Sequence, residues 1–108
     1  VNMVAMKDII ELSDQIAQEF HPERIILYGS HARGDATEDS DVDLMVILPF
    51  EGRSAQMALE IRKRVHRAFP LDLLARTPQE FQQRIKDEDW FLREIVTQGK
   101  VLYEAAHE

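Results

Sequence analysis

The chain of 108 residues contains no cysteine, one tryptophan, four glycines and four prolines. The missing cysteines exclude disulfides and thiolate metal sites. No run of about 18 apolar residues occurs, so no membrane-spanning helix is expected. The N-terminal residues lack the charged, apolar and small-residue succession of a secretory signal. These absences fit a cytoplasmic protein, the expected location. Cations are also scarce: 13 Lys and Arg face 20 Asp and Glu, a net charge of −7. A protein that grips long nucleic acid by its phosphates needs clustered cations, so no direct nucleic-acid binding is expected. Repeats, linkers and low-complexity stretches are absent too. What remains is a chain with 44% hydrophobic residues, which reads as one domain spanning residues 1–108.

Apolar periodicity divides the chain into alternating elements. Ile9, Leu12 or Ser13, Ile16 and Phe20 recur at helical spacing, predicting a helix from about Val4 to Phe20. His21-Pro22 ends it, because the residue before proline leaves the helical region. A strand at Arg24–Tyr28, a short helix near Ser30–Arg33 and a strand at Val42–Leu48 follow. Met57, Ile61, Val65 and Ala68 or Phe69 form the stripe of a helix from about Ser54 to Ala68. Leu71–Ala75 is a third strand. Thr77-Pro78-Gln79-Glu80 carries a capping box with proline at the first helical position. A further helix runs from about Asp89 to Gln98 and stops at Gly99, before a last strand at Lys100–Glu104.

The chemistry concentrates between the first two strands. Gly29-Ser30 ends one strand, and after ten intervening residues Asp41-Val42-Asp43 opens the next. Residues i and i+2 of a strand point to the same face, roughly 7 Å apart, so Asp41 and Asp43 converge while Val42 and Leu44 turn to the core. Two such like charges repel and titrate as a pair, and a cation between them relieves the repulsion. Hard carboxylate oxygens suit Mg2+, which completes its octahedron with phosphate oxygens and water. Gly29 lets the backbone come close to a phosphate. The Ser30 hydroxyl and the amides of the turn donate to it. Chance supplies these four residues at this spacing on the order of once in a thousand chains of this length.

The run Gly29-Ser30-His31-Ala32-Arg33-Gly34-Asp35-Ala36, followed by Ser40-Asp41-Val42-Asp43-Leu44, resembles the signature of the DNA polymerase beta-like nucleotidyltransferases. It is most similar to their minimal nucleotidyltransferase (MNT) branch, from about Ile25 to about Ala75. The resemblance implies an α/β (α+β) fold, a small mixed sheet flanked by helices. It implies two Mg2+ ions (Mn2+ is the alternative), ATP as substrate, and transfer of a nucleoside monophosphate with release of pyrophosphate. It also calls for a third carboxylate on a later strand. Asp72 is the single charge in Phe69–Ala75, and an unpaired charge inside a buried strand is costly. Its expected place is in the site with Asp41 and Asp43, all three as metal ligands. The alternative is a structural ion pair with Arg76 or Arg33. Arg33 serves either a phosphate or one of these aspartates, and Ser40 caps or orients Asp41 and Asp43. Gly29, Ser30, Arg33 and Ser40 are therefore the expected nucleotide-binding residues.

Other residues have plainer readings. Asp8, Asp14, Asp87 and Asp89 lie in polar helical contexts and read as solvated. His31 is either exposed or touches ligand. Tyr28 reads as strand packing, and Trp90 and Phe91 as core or interface. Arg62-Lys63-Arg64-Val65-His66-Arg67 flanks an apolar stripe, as a solvated helix face or as a docking surface for an acidic partner. Nothing in so short a chain chooses the acceptor. Small MNT proteins are commonly paired with a helical HEPN-class ribonuclease toxin. The resemblance therefore implies an antitoxin that transfers AMP from ATP to a hydroxyl, a tyrosine, of such a toxin. A small-molecule transferase of the aminoglycoside-modifying kind and a non-catalytic binding subunit are the competing readings.

Overall fold

A computed structural model describes residues 3–106 of the chain. Nine elements follow in order: α1 (Met6–Phe20), β1 (Arg24–Tyr28), α2 (Ser30–Arg33), β2 (Val42–Ile47), α3 (Ser54–Arg64), β3 (Leu71–Arg76), α4 (Pro78–Lys86), α5 (Trp90–Gln98) and β4 (Lys100–Glu104). The four strands form one mixed sheet in the order β3-β2-β1-β4. β1 pairs antiparallel with β2 and β4, whereas β2 and β3 run parallel. The crossover from β2 to β3 is α3, as a parallel pair requires. No helix among the described residues is long and apolar enough to cross a membrane.

Both faces of the sheet are covered. Ile25 and Leu27 of β1, Val42, Leu44 and Val46 of β2, and Leu71, Leu73 and Ala75 of β3 form one core with Ile9, Leu12 and Ile16 of α1 and Ile61 of α3. The alternate residues Ile26, Met45 and Ile47 form a second, smaller core with Phe81 of α4 and Leu92 and Ile95 of α5. Because side chains alternate along a strand, Tyr28, Asp43 and Asp72 share the face of this smaller core.

Local chemistry accounts for most boundaries. The Thr77 hydroxyl accepts from the Glu80 amide at 3.1 Å, and Pro78 opens α4. Asp89 is the N-cap of α5: its Oδ1 accepts from the Leu92 amide at 3.1 Å, and that bond holds its carboxyl below the ordinary range. Asp8, Asp14 and Asp87 are exposed, as expected. His21 leaves the right-handed region by entering the left-handed one, with φ 49°.

One boundary differs from expectation by more than two residues. α3 ends at Arg64, not near Ala68, because Val65 is extended and buried. Gln15 of α1 fixes this turn: its side chain accepts from the His66 amide at 3.0 Å and donates to the His66 carbonyl at 3.1 Å. A contact 51 residues distant in sequence thus outweighs the helical stripe.

Candidate active site

β1 ends at Tyr28, and the chain turns at once through Gly29 into α2. Gly29 has φ 75°, a backbone conformation that side-chain-bearing residues adopt with strain. A Cβ there would fall on the Asp43 Oδ2 atom and lie 3.1 Å from the Asp43 Cγ. Gly29 is therefore required by the protein's own carboxylate. The antiparallel register sets Tyr28 opposite Asp43, and the parallel register sets Asp43 beside Asp72.

Three strands thus bring Tyr28, Asp43 and Asp72 side by side on one face, with Asp41 two residues upstream. Asp43 feels the crowding. Partial burial, then the charge of Asp72, then that of Asp41, raise its pKa above the ordinary carboxylate value, with His31 and Arg33 opposing. Tyr28 is held neutral: burial, Asp43 and Asp72 all raise its phenol.

The expectation for Asp72 needs one correction. It is not a charge inside a buried strand. Its neighbours Leu71 and Leu73 are buried, but Asp72 is exposed. β3 is an edge strand, and its buried residues Leu71, Leu73 and Ala75 serve the opposite face. What sets Asp72 apart is its register with Asp43 and not the cost of burial. Arg33 instead pairs with Asp35 at 3.4 Å, and Arg76 with Glu80 at 3.4 Å.

The remaining residues are distributed around this cluster. Ser30 opens α2 directly after Gly29. The Ser40 hydroxyl is engaged within its own turn, accepting from the Thr37 amide at 2.9 Å, so it orients the loop into β2 and not the carboxylates themselves. His31 is buried, with Nε2 3.4 Å from the Ser40 carbonyl. It links α2 to that loop, a role the sequence did not suggest.

A cleft opens beside the cluster, walled by Tyr28, Gly29, Arg33, Phe91, Glu94 and Gln98 among others. Phe91 meets Tyr28 edge-on, with ring centroids 5.8 Å apart. The α5 residues of this wall were missed from sequence. The available signal was that Phe91, Glu94 and Gln98 fall on one helical face, three and four residues apart. Trp90, expected in core or interface, is 76% exposed.

Among the described residues, no three acidic or histidine side chains are drawn together as a ready ligand cage. The donor set still fits a divalent ion of the Mg2+ kind. Such an ion takes one or two carboxylates and fills its other positions with water and phosphate. Asp43, destabilised as an anion by burial and by two like charges, is a group that a cation would relieve.

A mixed sheet with a Gly-Ser turn at the end of β1 and carboxylates on the next two strands across the sheet, β2 and β3, defines a nucleotidyltransferase. The family comparison agrees. Residues 9–103 match the nucleotidyltransferase domain, and the chain belongs to that family of transferase enzymes. A candidate protein adenylyltransferase of Methanocaldococcus jannaschii is 30% identical over 81 residues, which are 74% of this chain and 77% of that protein. Two solved structures share the fold. A candidate nucleotidyltransferase of Sulfolobus solfataricus superposes with TM-score 0.64 at 21% identity, over 92% of this chain and 79% of that one. A toxin–antitoxin structure with AMP-PNP gives TM-score 0.54 at 18% identity, over 89% of this chain and 73% of that one.

Proposed function

We propose that this chain, as a single domain, transfers AMP from ATP to a hydroxyl, the phenol of a tyrosine, on a cognate HEPN-type ribonuclease toxin, and so acts as its antitoxin. The observation that carries the reading is the register of Asp43 with Asp72, with Gly29 pressed against the Asp43 carboxylate. A protein acceptor is supported by the name of the Methanocaldococcus relative, and a toxin partner by the toxin–antitoxin neighbour. The net charge of −7 suits a basic, RNA-binding partner.

In this reading Gly29 and Ser30 hold the phosphates, Arg33 stands at their edge, and Ser40 fixes the loop that delivers Asp41. Asp41 and Asp43 would hold both Mg2+ ions (or Mn2+), and Asp72 would share one of them. The bound ions supply charge neutralisation on the attacking and leaving oxygens. The Asp72 carboxylate takes the acceptor's hydroxyl proton. The hydroxyl oxygen bonds to the α-phosphorus, the bond from that phosphorus to the bridging oxygen breaks, and pyrophosphate leaves with the electron pair. The cleft walled by Tyr28 and Phe91 receives the rest of the nucleotide.

The test incubates both proteins with ATP and Mg2+ and measures intact mass. The toxin should gain the mass of AMP, and the gain should vanish with Asp72→Asn. An unchanged toxin mass with suppressed ribonuclease activity would overturn transfer in favour of occlusion. Modification of aminoglycosides and of no protein would establish the small-molecule reading instead.

A further inference from the structure

The face of the sheet opposite the carboxylates carries a second concavity that nucleotide transfer does not use. An open groove of about 960 Å³ lies between α3 and β3, lined among others by Ala55, Ala58, Leu59, Arg62, Ala75 and Arg76. Three alanines keep its floor low, and Leu59 stands 51% exposed. Arg76 donates to the Ala75 carbonyl at 2.8 Å and so covers the outer edge of β3, which discourages strand addition there.

Charge identifies the occupant. The segment from Arg53 to Arg76 holds Arg53, Arg62, Lys63, Arg64, Arg67 and Arg76 against only Glu60 and Asp72, in a chain of net charge −7. Arg64 is paired with Glu60 and Arg76 with Glu80. Among the described residues Arg62 has no ion-pair partner. Of these cations Arg62 and Arg76 line the groove, no acidic residue does, and its floor is apolar.

We infer that this groove docks an acidic peptide segment of a partner protein. One apolar side chain of the segment seats over Ala55, Ala58 and Ala75, and a flanking carboxylate meets Arg62. A second copy of the chain would set the same cations against themselves. RNA would find no aromatic side chain among the groove's lining residues on which to stack a base, and the net charge of the chain opposes it.

The experiment selects displayed random peptides against the full chain and counter-selects against Arg62→Glu. Enriched sequences should combine one large apolar residue with acidic flanks. One such synthetic peptide should then bind about tenfold more weakly to Arg62→Glu and to Leu59→Asp, two exposed changes that leave the fold intact. Amide shifts on its titration should map to α3 and β3. Enrichment of neutral or basic peptides, no enrichment over the variant, or shifts elsewhere would overturn the proposal. So would equal binding of a single-stranded RNA oligomer that displaces the peptide, or self-association through this face in sedimentation.

Discussion

On one face of the sheet, Ile25, Leu27, Val42, Leu44, Val46, Leu73 and Ala75 are buried beneath α1 and α3. On the other, the same strands carry Ile26, Met45 and Ile47 at one end and Tyr28, Asp43 and Asp72 at the other. The first face is apolar throughout. The second is divided: its apolar half anchors α4 and α5, and its polar half crowds two carboxylates and a phenol together. Neighbouring residues of one strand, Asp43 and Leu44, thus serve opposite ends. The apolar face stabilises the fold so that the polar half can hold like charges that destabilise it.

The contrast is tested most severely at Asp43. Asp43→Asn should lower AMP transfer by about 10³-fold, the loss of about 4 kcal/mol of transition-state stabilisation, while the circular dichroism spectrum stays that of the wild type. Retained transfer would show that the polar half is not the active site. Its neighbour should behave in the opposite way. Leu44→Ala opens a cavity in the buried face and should cost about 3 kcal/mol in urea unfolding, with transfer in the surviving folded fraction far less affected.

Gly29→Ala joins the two faces. The new Cβ strikes the Asp43 carboxylate and strains a positive φ, so it should cost about 1–3 kcal/mol and abolish nucleotide binding. Relief of the stability loss when Gly29→Ala is combined with Asp43→Ala would locate the clash at that carboxylate; an unrelieved loss would leave it to the strained φ of residue 29. Ser13 sharpens the comparison from the apolar side. Its hydroxyl is fully buried under the first face and has no hydrogen-bond partner among the described residues. Ser13→Ala should therefore raise stability by about 1 kcal/mol, measured as a higher urea midpoint at unchanged slope.

The smallest effect is the pH dependence of metal-free protein. The folded Asp43 pKa lies above the ordinary carboxylate value of about 4. A carboxyl raised in the folded state contributes stability below its unfolded pKa and loses it as pH rises through the folded one. In EDTA, wild type should therefore lose stability relative to Asp43→Asn as pH rises from about 4 through the folded pKa of Asp43. The difference should stay within about 1 kcal/mol, because the group is partly solvated. Parallel stability curves would remove the carboxylate crowding from the account.

The sequence alone determined the order and type of the elements, the Gly29-Ser30 turn and the pairing of Asp41 with Asp43. Periodicity, capping residues and i, i+2 spacing are local, and a few neighbouring residues are enough to enforce them. Tertiary structure decided what depends on residues far apart. It set Asp72 beside Asp43 through the parallel register of β2 and β3, and left it exposed on an edge strand where the apolar run predicted burial. It ended α3 at Arg64 through the hydrogen bonds of Gln15. It laid Gly29 against Asp43 and brought Phe91 to Tyr28. None of these contacts has a local cause. Each exists because two segments, each with its own pattern, are packed against the same sheet, and only the packing fixes which side chains then meet.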